Sequence, residues 1–156
     1  MKRRGIILIL IVVTTMLWLI QLSAAIAAPT LQGQDLAVIT EPANNASIAS
    51  TISMAGMSVY SASKHAVVGM TKAAALELGP QNIRVNAVSP AAVRTEMYDR
   101  FTGGDKSVQD QMGAMHPIGR SALPEEIASV VTFLCSDAAS FVTGSNYMVD
   151  GGFTAQ

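Results

Sequence analysis

The stretch Leu78-Gly79-Pro80-Gln81-Asn82-Ile83-Arg84-Val85-Asn86-Ala87-Val88 decides the fold. Gly79-Pro80 reads as a helix stop, because glycine suits the position beyond a last turn and proline cannot continue it. A strand pattern begins at once, with Ile83, Val85 and Ala87 on one face and Val88 on the other. A helix, a short connection and a strand apolar on both sides make an αβ unit of a parallel sheet. The upstream helix is read from an N-cap at Ser58 to Leu78, with Val67, Met70, Ala74 and Leu78 as its apolar stripe. Its small residues Ser61, Ala62, Ala66, Gly69 and Ala73 let a neighbour approach closely.

The same helix carries a chemical pair. Tyr60 and Lys64 stand four residues apart, so phenol and ammonium share one face, a turn from each other. An unperturbed tyrosine titrates near about 10, too high to exchange protons readily at neutral pH. A fixed positive charge within about 4–6 Å favours the phenolate. Ser47, thirteen residues ahead of Tyr60, offers a hydroxyl to hold a carbonyl or alcohol oxygen beside it. Singly, each residue has a plainer reading: a turn serine, a half-buried helix tyrosine, a solvated helix lysine.

Outward from this unit, Leu36 to Ile39 reads as a short strand, and Pro42 with Asn44-Asn45 breaks regular structure. Ser47 to Thr51 reads as a strand end before a turn at Gly56. Thr95 to Arg120 holds short helical pieces, either a surface excursion or a mobile cover over a pocket. Pro124 at a first helical position, followed by Glu125-Glu126, opens a helix whose stripe is Ile127, Val130, Val131, Leu134 and Cys135. Asn146 to Val149 is the last strand, closed by Asp150-Gly151-Gly152.

Composition excludes several classes. Half the residues are hydrophobic, too many for a disordered chain. Beyond Ala27, seven lysines and arginines face eleven acidic residues, and no basic patch suggests nucleic acid. The single Cys135 forms no internal disulfide and reads as a buried helix cysteine. His65 and His116 have no cysteine or carboxylate at ligand spacing, so no metal site is expected.

The N-terminus has two readings. Lys2-Arg3-Arg4 precedes an uncharged run from Gly5 to Gln34, and Ala25-Ile26-Ala27 fits a secretory signal cut before Ala28. Residues 6–28 are also long enough to span a membrane as one helix, at about 20 residues per bilayer. Residues 1–27 are thus a signal peptide or a membrane anchor, residues 28–43 a connector and residues 44–156 the folded domain. Under the positive-inside rule the domain lies outside the cytosol, secreted or membrane-anchored. It is cytoplasmic if this N-terminus is a gene-model artefact.

From about Asn44 onward the chain resembles the C-terminal half of the short-chain dehydrogenase/reductase family. The matching residues come in the family's order: Ser47; Tyr60-Ser61-Ala62-Ser63-Lys64; Asn82 to Pro90; Thr95; His116-Pro117-Ile118-Gly119-Arg120; Pro124 to Ala128; Val142-Thr143-Gly144; and Val149-Asp150-Gly151-Gly152. A lone Tyr-x-x-x-Lys is a weak signal, but this ordered set over some 110 residues is specific. The resemblance implies an α/β fold, the C-terminal half of a Rossmann-like, doubly wound parallel sheet, here preceded by a hydrophobic helix. It implies hydride transfer between NAD or NADP and a small carbonyl or alcohol substrate. Tyr60 would be the general acid/base and, with Lys64, a cofactor-binding residue; Lys64 would lower the tyrosine's pKa and hydrogen-bond the nicotinamide ribose. Ser47 would orient the substrate oxygen. Backbone from Pro90 through Ala91 to Val93, with the Thr95 hydroxyl, would hold the nicotinamide end, and residues 95–120 would be the substrate cover. The helix over 58–78 would pack against a partner subunit, in a homo- or hetero-oligomer.

The departures are equally specific. The sequence has no Gly-x-x-x-Gly-x-Gly turn, the family's cradle for the dinucleotide pyrophosphate at a helix N-terminus, and lacks the helix carrying a fourth catalytic asparagine. Ala91 and Ser50 stand where the family usually and often, respectively, has glycine. The expectation is that this polypeptide alone neither binds NADPH tightly nor reduces carbonyls. The alternative is a non-enzymatic remnant, truncated or fused, or a membrane-tethered partner of an intact family member.

Overall fold

The computed structural model describes residues 36–39 and 46–156. Among these the strands are β1 (Leu36–Ile39), β2 (Arg84–Pro90) and β3 (Asn146–Val149). The helices are α1 (Ser58–Leu78), α2 (Glu96–Thr102), α3 (Lys106–Ala114) and α4 (Pro124–Cys135). The strands form one sheet in the order β1-β2-β3, parallel throughout, with Ala37 opposite Val85 and Ser89 opposite Met148. The expected parallel α/β arrangement is therefore present. The expected N-terminal hydrophobic helix, and with it the signal or anchor at 1–27, lies outside the described residues. Among the described residues no helix is long and apolar enough to cross a membrane.

β2 is the central strand, and its alternation sorts the core into two layers. Val85 and Ala87, with Ile83 just ahead, pack with Val67 and Ala75 of α1, and Met70, Ala74 and Leu78 close over them. Val88 faces the other way, onto Ile127 and Leu134 of α4 and Ala139. Polar side chains lock the ends. Buried Asn86 donates to Val142 O (2.9 Å) and accepts from Ser145 N (3.1 Å), fixing the approach to β3. Arg84 donates to Leu134 O (2.8 Å) and Ser136 O (3.2 Å), satisfying carbonyls at the end of α4. Cys135 is half-buried rather than buried, and burial pushes its thiol pKa up against the lowering charge of Arg84.

Three sequence expectations need correction. Met57, not Ser58, is the N-cap of α1, and Ser58 is the first helical residue. Gly79 keeps right-handed helical backbone, and the chain turns instead at Asn82 after the 3-10 turn Gly79–Gln81. At φ 61°, Asn82 takes a left-handed conformation that asparagine tolerates better than most residues. Ser47 to Thr51 is not a strand end. Ile48–Ser50 is a single 3-10 turn, and Ser47 caps it.

Candidate functional site

The Ser47 turn sits against the N-terminal part of α1 and the carboxyl end of β2. Ser47 is extended (φ −141°, ψ 164°), and its Oγ accepts the Ala49 N–H at 3.3 Å. One lone pair is thereby occupied, while its own O–H has no acceptor among the described residues. The Ser50 N–H donates back to Ser47 O at 2.7 Å. Ser53 and Ser61 share a hydrogen bond of 2.8 Å, which ties the segment after the turn to the first turn of α1.

On α1 the expected pair differs sharply in exposure. Tyr60 is 41% exposed and Lys64 is 2% exposed. The Lys64 Nζ lies 5.2 Å from the centroid of the Tyr60 ring, within the range of a cation–π contact. The helix thus drives an ammonium beneath the ring and leaves the ring open on its other side. A hydroxyl donor on the neighbouring turn, a phenol and a buried positive charge can hold an alcohol or carbonyl oxygen and move its proton.

Beyond β2 the chain is held mainly by backbone. Pro90 is buried, and Ala91 N–H reaches Val149 O at 3.4 Å. Val93 bridges Ala122, with Ala122 N donating to Ala92 O and Arg94 N to Ala122 O, both at 2.9 Å. Ala91 is not among the positive-φ residues, so alanine stands without strain where the family usually has glycine. Thr95 caps α2: its Oγ1 accepts Tyr98 N–H and donates to Val93 O, each at 3.4 Å. The Thr95 hydroxyl that the resemblance assigns to the cofactor already serves the helix end.

Beside this loop lies a cavity of about 100 Å³ lined by Ala91, Ala92, His116, Arg120, Glu126 and Asp150, among others. His116, read from sequence as isolated, is buried there. Its Nδ1 donates to Met112 O at 2.9 Å, because a carbonyl can only accept, and its Nε2 has no hydrogen-bond partner among the described residues. Arg120 and Glu126 form a two-bond pair at 2.7 Å each, and Glu126 also accepts Leu123 N–H at 2.8 Å. These bonds, Arg120's foremost, hold the Glu126 carboxyl down at about 2. For Asp150 burial raises the pKa, but hydrogen bonds from Thr154 Oγ1, Thr154 N and Gly152 N outweigh it and leave the carboxyl lowered. Among the described residues no group of three His, Cys, Asp or Glu side chains gathers as metal donors.

Sequence reasoning missed a polar cluster under the Ser47 turn, buried Ser50 and Ser89 with half-buried Asn146. The available signal was polar residues inside strands that should be covered on both faces.

Over residues 20–154 the chain matches the family model described as enoyl-(acyl carrier protein) reductase, and it belongs to the short-chain dehydrogenase/reductase family. The match begins ahead of residue 44, where the motifs begin. Cyclohexanol dehydrogenase from Acinetobacter sp. (strain SE19) is 49% identical over 113 residues, covering 72% of this chain and 43% of the relative. A short-chain dehydrogenase family protein from Francisella tularensis subsp. tularensis SCHU S4 superposes with a TM-score of 0.72 at 35% identity, covering 80% of this chain and 53% of that one. 4-Hydroxyisoleucine dehydrogenase complexed with NADH gives a TM-score of 0.70 at 36% identity, covering 79% and 48%. The chain thus spans about half the length of the relatives it matches.

Proposed function

We propose that this chain carries the proton-transfer half of an NAD(P)-dependent oxidoreductase site acting on a small alcohol or its carbonyl. The observation that carries the reading is Lys64, buried with its Nζ 5.2 Å from the centroid of a half-exposed Tyr60 ring. Tyr60 takes the hydroxyl proton in oxidation and returns it in reduction, Lys64 places a positive charge beneath the ring, and Ser47 holds the substrate oxygen by its O–H. The relatives support the reading: the name cyclohexanol dehydrogenase supports the substrate class, and a dehydrogenase complexed with NADH the cofactor.

The fit to the cofactor is divided. Pro90 ends β2 and Ala91 and Val93 follow it, at the carboxyl end of a parallel sheet where dinucleotides bind in such folds, so these residues with Tyr60 and Lys64 would hold the nicotinamide end. When bound, the cofactor supplies or accepts the hydride. The pyrophosphate has no cradle in these 156 residues, since no Gly-x-x-x-Gly-x-Gly occurs. That observation favours a second reading, in which this polypeptide alone is inactive and acts as a partner of an intact family member. The exposed face of α1, with Val59, Ala62, Ala66, Gly69, Ala73 and Leu76, supports pairing. A Cβ added at Gly69 would meet nothing within 4 Å, so that face is open to a second subunit. Residues 6–28 would provide the tether, and the C-terminal part would lie outside the cytosol. Protease protection of membranes from cells expressing the chain tests this placement: a tagged C-terminus digested from the cytosolic side contradicts it.

The test of function compares the chain alone with the chain fused behind a family relative's dinucleotide-binding half, assaying NAD⁺- and NADP⁺-dependent oxidation of cyclic and acyclic secondary alcohols. The expected result is turnover in the fused form and none in the chain alone. No turnover in either form contradicts the oxidoreductase reading. Turnover by the chain alone contradicts the second reading.

A further inference from the structure

Beneath the Ser47 turn, three side chains from distant parts of the sequence close on one another. Ser89 Oγ donates to Asn146 Oδ1 at 2.6 Å, since an amide oxygen can only accept. Asn146 Nδ2 donates to Ser50 Oγ at 3.3 Å. Ser50 Oγ and Ser89 Oγ are 3.0 Å apart. Ser89 has already spent its proton on Asn146, so Ser50 is the donor in this last bond. Each hydroxyl therefore donates once and accepts once within the set, and the three bonds run head to tail in a ring, while the second Asn146 N–H reaches Met148 Sδ at 3.7 Å. Ser89 is fully buried, Ser50 is 6% exposed and Asn146 is half-buried, so water cannot readily replace either hydroxyl.

We propose that Ser50, Ser89 and Asn146 are positioning residues that fix the Ser47 turn to the carboxyl end of β2 and the first residue of β3. Ser50 is the last residue of the 3-10 turn, and its N–H donates to Ser47 O at 2.7 Å. Anchoring Ser50 therefore anchors the backbone of Ser47 and directs its hydroxyl. The ring answers a local need. Ser50 occupies a position where the family often has glycine, and a side chain buried there must satisfy its hydroxyl. Ser89 and Asn146 do so, and in return the turn is tied to the end of β2 and the start of β3. The assignment deepens the proposed proton-transfer function and rests on it.

Two measurements keep the ring and that function separate. Amide hydrogen exchange on the full chain compares wild type with Ser50→Gly, Ser89→Ala and Asn146→Asp, the last keeping an acceptor for Ser89 but losing the donor to Ser50. Exchange at the Ala49 and Ser50 amides is expected to rise about tenfold or more, while Ala87, bonded to Ser145 O, keeps its protection. Unchanged exchange at Ala49 and Ser50, or equal loss at Ala87, overturns the positioning role. In the fused form, the same variants should lower kcat about tenfold with cofactor KM unchanged, because a misdirected Ser47 harms the reacting geometry alone. Unchanged kcat overturns the role, as does a loss confined to KM. Absence of turnover in the wild-type fusion counts against the proposed function, and exchange then decides whether the ring holds the turn.

Discussion

Two helices pack on opposite faces of β2, and they bury different chemistry. α1 buries Ser61, Lys64, Val67, Thr71 and Ala75. α4 buries Ile127 and Leu134, with Val130 and Val131 half-covered beside them. A helix that only has to cover a sheet gains by burying apolar surface, about 25 cal/mol for each Å² removed from water. α4 follows that rule. α1 breaks it toward its N-terminal end, where burying an ammonium carries a desolvation cost that apolar cover would avoid. Thr71 spends its hydroxyl on the Val67 carbonyl at 2.8 Å, an accommodation within the helix. Ser61 instead bonds Ser53, in the segment just after the Ser47 turn, and Lys64 lies against the ring of Tyr60. A buried polar group that reaches beyond its own helix, as Ser61 does near the start of α1, and a buried cation beneath a half-exposed ring distinguish a site from a scaffold.

This contrast predicts opposite responses to truncation. In the fused form, Lys64→Ala should lower alcohol turnover about 10²–10⁴-fold, the range of a lost acid–base contribution, in steady-state assays. Retained turnover would put the two faces on the same footing. Leu134→Ala should cost stability instead, about 2–5 kcal/mol by urea denaturation, with turnover per folded molecule unchanged. The smallest effect belongs to the Arg120–Glu126 pair at the exposed start of α4. Glu126 titrates at about 2 when folded, held there first by Arg120, against an ordinary value of 4.5. A lowered folded pKa means the pair stabilises fully above the ordinary carboxylate range and loses that contribution as pH falls toward about 2. Glu126→Gln should therefore melt slightly below wild type at pH 7, and the gap should close as the pH approaches 2. A gap that widens in acid would reverse the sign of this argument.

Much of the fold was legible because it rests on periodicity. The alternation of Ile83, Val85 and Ala87 against Val88 maps onto the two core layers, and the stripe of α4 maps onto its buried side. Even the short strand at Leu36–Ile39 pairs with β2. What failed was turn geometry. Asn82 rather than Gly79 takes the left-handed position, and Ser47 caps a 3-10 turn that its β-branched neighbours disguised as a strand end. The Tyr60–Lys64 pair was legible because helical spacing brings residues four apart together. The Ser50–Ser89–Asn146 ring was not, because its members are 39, 57 and 96 residues apart and meet only through the parallel sheet. Buried His116 escaped for the same reason: its surroundings come from Gly151 and Phe153 at the end of the chain.

The most direct test of the central claim is Tyr60→Phe in the fused form, which removes one oxygen from a half-exposed ring and leaves the cation beneath it in place. The account predicts at least about a 100-fold loss of NAD(P)⁺-dependent alcohol oxidation with NADH binding intact. Turnover within a few fold of wild type would contradict it.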